Sequence, residues 1–352
     1  MIKRFSNPES ESMSSKKVTI TEVAKHAGVS VTTVSMVLGN KGRISPDTIE
    51  KVNAAVEELG YIRNRAAANL RSNSSEIIGL ILKDISDPYY AEVAAGLSEE
   101  IEQQGYMLFL AQSGDSQEKF EKCVLTMARQ GVGGIAFCPI GESQQFNVEN
   151  LKQHNLPMVC ISRASVDKQI DYVGPDNMYA AKLATEHLVK QGHRRIAYVG
   201  GASSSLCRAE RIGGYCSTLM QFGLPFKPEW VVECEKSQAS AAQTVQQLLL
   251  EHPQITAVLC HHSSTALGAV YGIHRAGRSI GKDQFIGEQV SVIGFDDVEE
   301  AELIEPPLTF VNSNAREMGR QAAKRLINQL KQEDSEPYSL ILPPKLIVRE
   351  SA

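Results

Sequence analysis

Val18-Thr19-Ile20-Thr21-Glu22-Val23-Ala24-Lys25-His26-Ala27-Gly28-Val29-Ser30-Val31-Thr32-Thr33-Val34-Ser35 sets out two short helices and the turn between them. Thr19 and Glu22 have the spacing of a capping box, in which a hydroxyl and a carboxylate satisfy the free N–H groups of a first turn. Ile20, Val23, Ala24 and Ala27 recur at helical spacing, and Gly28 supplies the left-handed residue that ends such a helix. Ser30 reads as the N-cap of a second helix whose buried side is Val34, Val37 and Leu38. Two helices this short cannot form a core alone. A third follows: Ser45 and Pro46 open it, and Ile49, Val52, Ala55, Val56 and Leu59 form its stripe up to Gly60. A small residue at Ala24, glycine at the turn and a β-branched Val34 let the first two helices cross closely. The spacing predicts a helix-turn-helix whose second helix is free to enter a major groove.

Working outward, residues 1–17 are rich in Ser, Glu and Lys without an apolar period, and read as a disordered tail. Within 1–74 there are eleven Lys or Arg against seven Asp or Glu, whereas the whole chain of 352 residues carries −5. The basic head therefore sits on an acidic body, as expected if only the head meets a polyanion. Seven scattered cysteines without a CxxC pair argue against a zinc or redox centre, and read as buried, reduced thiols. Adjacent His261 and His262 are expected to point to opposite faces of a strand, which speaks against a metal. Apolar runs are only strand-length, and Met1-Ile2-Lys3-Arg4 opens no secretory signal, so no membrane partner and a bacterial cytoplasmic location, nucleoid-associated when bound to DNA, are expected.

From residue 76 the pattern alternates between strand and helix. Ile77–Leu82, Tyr106–Leu110, Gly134–Phe137 and Pro157–Ile161 read as strands of one set; Arg195–Val199, Thr256–Leu259 and Val290–Phe295 read as strands of a second. The expected fold class is α/β: a three-helix head, then two doubly wound α/β subdomains with a ligand cleft at the carboxyl ends of the strands. Between head and body, Asn64-Arg65-Ala66-Ala67-Ala68-Asn69-Leu70-Arg71-Ser72 has helix propensity but is too short to be stable alone in water. It is a candidate switch.

The head sequence quoted above, with Ile44-Ser45, Glu58-Leu59-Gly60-Tyr61 and Asn64-Arg65, resembles the lactose/galactose repressor family. The resemblance continues to about residue 349 through Asp87-Pro88-Tyr89-Tyr90, Asp176-Asn177, Gly192-His193, Arg211-Ile212-Gly213-Gly214, Gly294-Phe295-Asp296-Asp297 and Pro306-Pro307-Leu308-Thr309. Gly39–Ser45, Arg208–Cys216 and an insertion within Ile280–Gln289 point to a maltose-regulon branch of that family.

That resemblance implies a head over 18–62, a hinge helix over 63–75 and an effector-binding and dimerisation body of periplasmic-binding-protein type over 76–349. Lobe one would comprise about 76–173 and 310–340, lobe two about 174–309 and 341–349, with crossings near Val173, Phe310 and Leu340. It implies base readers at Val31, Thr32 and Thr33, with Thr19, Ser35 and Met36 near the DNA. In the hinge, Leu70 would wedge into the minor groove, supported by Asn64, Arg65 and Arg71. Two departures stand out. Met36 replaces a common arginine, so the half-site is expected to be richer in A·T; Arg63 replaces a common proline. In the body the resemblance implies an effector site from Tyr89, Tyr90, Arg163, Arg211, His262 and Asp296, for a sugar or sugar phosphate. His262 and Ser263 depart from the family's usual polar pair.

The expected partners are double-stranded operator DNA, a second copy in a homodimer and the small-molecule effector, with no cofactor. No GxSxG, P-loop or dinucleotide fingerprint suggests an enzyme. The alternative is a sugar-binding or sugar-processing protein with the same body fold.

Overall fold

The structure is a computed structural model and describes residues 18–39, 42–61, 75–139, 156–161, 170–283, 288–332 and 336–352. The expected tail, the hinge residues Arg63, Asn64, Arg65, Leu70 and Arg71, and Arg163 lie outside the described residues. The chain divides into two compact units, Met1–Asn73 and Ser74–Ala352.

In the first unit, α1 (Ile20–Ala27), α2 (Val31–Leu38) and α3 (Pro46–Glu58) surround one small core of Val23, Ala24, Val34, Val37, Val52 and Ala55. The capping box is formed: the Thr19 N–H and hydroxyl donate to Glu22 at 2.7 and 2.9 Å. Gly28 ends α1 at φ 68°, a left-handed conformation that favours glycine. Ser30 caps α2 by accepting from the Thr33 N–H at 3.0 Å. Two expectations need correction. The Ser45 hydroxyl does not cap α3 but meets the Thr48 hydroxyl at 2.8 Å. Ile49 lies on the solvent side of α3, 39% exposed, because three short helices enclose only their innermost turn.

The second unit contains two sheets. In lobe one, β1 (Ile77–Leu82), β2 (Met107–Gln112), β3 (Gly134–Phe137), β4 (Met158–Ile161), β5 (Asp171–Pro175) and β12 (Ser339–Leu342) pair in the order β12-β5-β4-β3-β1-β2. Every pairing is parallel. Strands β3, β4 and β5 are buried throughout, as expected for a parallel sheet covered on both faces. One face packs on α4 (Pro88–Gln103) and α11 (Ala315–Leu330), the other on α5 (Gln117–Arg129). Helices α4 and α11 cross at glycines. A Cβ on Gly96 would stand 1.8 Å from the Arg316 carbonyl oxygen, and one on Gly319 would stand 2.1 Å from that of Val93.

In lobe two, β6 (Ile196–Val199), β7 (Val231–Val232), β8 (Ala257–Cys260), β10 (Gln289–Phe295), β11 (Thr309–Asn312) and β13 (Lys345–Ile347) pair in the order β13-β11-β10-β8-β6-β7. Short β9 (Ser279–Ile280) pairs with β10, and among the described residues only β13 runs antiparallel to its neighbour. Helices α6 (Asn177–Lys190) and α7 (Leu206–Gln221) cover one face, α8 (Gln238–Glu251) and α9 (Ser263–Arg275) the other. A single turn, α10 (Glu300–Leu303), follows β10.

The three crossings between lobes fall later than expected. Val173 is inside β5 and Leu340 inside β12, both in lobe one, while Phe310 is fully buried in the core of lobe two. The chain changes lobe after Pro175, at Ser313–Asn314 and at Pro343–Pro344, where strand pairing ends. Asn314, at φ 58°, ties two crossings together by donating from Nδ2 to the Pro343 carbonyl at 2.8 Å.

Candidate functional site

The head presents one face of α2. Val31 is 42% and Met36 36% exposed, and Thr32 and Ser35 are also exposed, so four side chains remain available to a groove. Thr33 is different. It is half-buried, and its hydroxyl meets that of Ser30 at 2.8 Å, so it serves the helix cap. Thr19 is likewise engaged with Glu22. The Met36 methyl lies over the loop, 2.5 Å from where a Cβ on Gly42 would be, and Gly42 adopts φ 83°. Gly42 thus leaves room for Met36 and takes a backbone conformation that other residues resist. That pairing was not legible from spacing.

The body holds a cavity of about 250 Å³ lined by residues of both lobes. It brings together Tyr89, Tyr90, Arg211, His262 and Asp296, five of the six expected effector residues; the sixth, Arg163, lies outside the described residues. Tyr89 and Tyr90 sit in the first turn of α4, their rings edge to face at 5.3 Å. Tyr90 is mostly core, 9% exposed. Tyr89 donates its hydroxyl to the Met318 sulfur at 3.6 Å, which fixes its ring at the mouth of the cleft.

Arg211 is 3% exposed and held on several sides. Its Nε donates to Asn177 Oδ1 at 3.2 Å, its Nη1 to the His261 carbonyl at 2.6 Å and its Nη2 to Asp296 Oδ2 at 3.4 Å. The guanidinium stacks 4.3 Å from the Phe295 ring centroid. Burial opposes its charge, but Cys207 and Asp296 nearby hold its proton affinity above the ordinary guanidinium value. Asp296 follows β10 at φ 66°, a conformation that Asp tolerates better than most residues. It accepts from the Ser313 hydroxyl, so the site's carboxylate is anchored to a crossing between lobes. Asp297 turns away and pairs with Arg349, both contacts at 2.8 Å.

The adjacent histidines correct an expectation. Strand β8 ends at Cys260, so strand alternation no longer governs them, and their rings meet edge to face at 4.3 Å. Tyr198 shares a hydrogen bond of 2.5 Å with His261 Nδ1. Burial, then neighbouring groups including Arg211 and Lys236, pushes both imidazoles well below their usual range, so both are neutral at pH 7. Among the described residues no group of His, Cys, Asp and Glu is arranged to hold a metal.

Sequence reasoning missed Lys83, Asp87, Asn177, Cys207, Lys236 and Glu235 in this cavity. Asp87 and Asn177 lay inside quoted motifs, but Lys236 is in a loop whose direction no periodicity predicts. The cysteines also depart from expectation: Cys138, Cys160 and Cys260 are buried, whereas Cys123, Cys207, Cys216 and Cys234 are only half-buried. Among the described residues no helix is long and apolar enough to cross a membrane.

Residues 19–64 match the family described as bacterial regulatory proteins, lacI family. Residues 75–350 match the family described as periplasmic binding proteins and sugar binding domain of LacI family. The chain is 46% identical over 335 residues to the maltose regulon regulatory protein MalI of Escherichia coli (strain K12), covering 94% of this chain and 98% of that one. It is 92% identical over 137 residues to MalI of Vibrio furnissii, which covers 39% of this chain and 100% of that sequence. Among solved structures it is similar to the Lac repressor bound to ONPG in the repressed state, at TM-score 0.83 and 28% identity, covering 96% of this chain and 100% of that one. It is also similar to the transcriptional regulator CelR in complex with cellobiose, at TM-score 0.71 and 30% identity, covering 95% and 100%.

Proposed function

The chain belongs to the LacI family of bacterial regulatory proteins, and from that premise we propose that it is a DNA-binding transcriptional repressor under the control of a sugar-like effector. The observation that carries this reading is the capped α1–α2 pair with Val31, Thr32, Ser35 and Met36 exposed on one helix face. A homodimer places two such faces in successive major grooves of a near-palindromic operator, about 34 Å apart. Within each half-site Val31, Thr32 and Met36 meet base edges, and the segment with Asn64, Arg65 and Leu70 contacts the minor groove between them.

The body senses rather than reacts. An arginine fork, a carboxylate, a neutral imidazole and an aromatic wall are binding groups for hydroxyls, and the paired carboxylates are occupied by Arg211 and Arg349. The protein acts in the cytoplasm, where its operator is. An effector that favours one arrangement of the lobes changes operator affinity by its differential binding to the two arrangements. The MalI relative supports carbohydrate genes of the maltose type as the target.

Selection of bound duplexes from random DNA by the full-length protein tests the reading. The expected product is a near-palindrome with two related half-sites. Equal retention of all sequences at moderate salt would overturn it.

A further inference from the structure

Of the four side chains that α2 leaves exposed, Val31, Thr32, Ser35 and Met36, only Met36 is long and unbranched. A thioether with three rotatable bonds is a poor reader of a base edge, because every contact must first freeze it. Here it is not free. Its Cε stands 2.5 Å from the position of a Cβ on Gly42. Among the described residues no other atom, the chain neighbours of Gly42 aside, comes within 4 Å of that position. The thioether therefore rests in the notch that a missing side chain leaves.

The notch depends on glycine twice over. Carbon atoms settle at about 3.5–4.0 Å, so any Cβ at residue 42 must push the methyl back by about 1 Å or more. The φ of 83° at Gly42 is also one that side-chain-bearing residues resist. Thymine is the base that shows an apolar group in the major groove, its C5-methyl. A thioether can pack against that methyl and lacks the paired donors that single out guanine.

We infer that Gly42 is a specificity-determining residue of the head that acts through Met36, by seating the thioether in advance against the loop so that it packs on a thymine methyl at one position of the half-site. This rests on the repressor reading above. Gly42 is a positioning residue: ordering Met36 before binding removes the entropy that the contact would otherwise cost.

The test is a double-mutant cycle on the full-length protein with the duplex recovered in the selection experiment, each thymine of one half-site replaced in turn by deoxyuridine. That exchange removes the methyl and nothing else. At one position it weakens wild-type binding by about threefold or more, and Met36→Ala is insensitive to it there. Gly42→Asn keeps the backbone accessible, since Asn tolerates positive φ. It lowers the thymine preference at that position by about twofold or more and leaves the other positions unchanged. After Met36→Ala, Gly42→Asn has no further effect on that preference. The inference is overturned if no thymine methyl is sensed through Met36, or if Gly42→Asn leaves its preference intact. An equal loss at every position, or the same loss after Met36→Ala, makes Gly42 a glycine of the fold alone and overturns it too. Failure of the repressor reading shows earlier and separately, as an absence of preference among duplexes by the unsubstituted protein.

Discussion

Lys236, in the loop after β7 of lobe two, is ion-paired with Asp87, the residue that caps α4 of lobe one. The Asp87 carboxylate uses Oδ1 to accept from the Tyr89 N–H at 3.1 Å and Oδ2 to hold the lysine. One side chain therefore starts a helix and ties the two lobes together across the cavity between them. Lys236 and Asp87 both line the cavity, so the effector proposed above would act on this pair directly.

Lys236→Met leaves the helix cap in place and removes the tie. With Lys236 itself 43% exposed, the expected loss in global stability is small, below about 1 kcal/mol. Hydrogen exchange in the first turn of α4 rises and the interlobe distance seen by small-angle scattering grows. An unchanged scattering profile with unchanged exchange would show that the pair does not restrain the lobes.

Gly96→Ala places a Cβ 1.8 Å from the Arg316 carbonyl oxygen, a backbone atom that cannot rotate away. Helices α4 and α11 must separate, so overpacking costs about 1–3 kcal/mol or more. Urea unfolding reads this as a lower midpoint. Gly105→Ala provides the contrast, because nothing stands within 4 Å of its Cβ and only its φ of 81° opposes the change.

His193 is buried between the Thr256 and Ser291 hydroxyls, both at 2.9 Å, and burial lowers its pKa to about 4. In the unfolded chain the ring titrates near its ordinary value of about 6.5. The folded state therefore binds fewer protons between these values, and stability is full above pH 6.5 and falls as pH drops toward 4. The shift corresponds to roughly 3 kcal/mol at most. His193→Gln flattens the stability profile between pH 6.5 and 5; a variant with the wild-type slope would assign the acid sensitivity to other groups.

Met36→Arg puts a bidentate donor on the exposed face of α2. In the selection experiment the recovered half-site gains a guanine at one position, worth about 1–3 kcal/mol of discrimination. The thioether's contact with Gly42 is lost as well, so a modest drop in head stability accompanies the change. Identical half-sites for both proteins would place Met36 outside the base contacts.

The caps and periods that define each element were legible because they are local. Thr19 with Glu22, Gly28, Ser30, and the buried run Ile77–Leu82 need only their own neighbours in the chain to act. The misreadings came from side-chain choices that periodicity does not fix, even between near neighbours in the chain. The Ser45 hydroxyl meets that of Thr48 instead of capping α3, and the Thr33 hydroxyl, expected at the bases, also pairs with that of Ser30. His262 lay beyond the end of β8, where strand alternation no longer applies.

The amino-acid order alone determined a three-helix head and a two-lobed α/β body, because hydrophobic period, helix caps and glycine turns act over a few residues; only some of the groups that face the cleft were legible in it. Which charges neutralise one another was decided only by the tertiary structure. Lys236 meets Asp87, Asp296 meets Arg211 and Arg325 meets Asp171 across separations that sequence spacing does not encode. Such pairs form where packed sheets and helices bring distant loops together, and Coulomb attraction, steep in distance and in local dielectric, then selects among them.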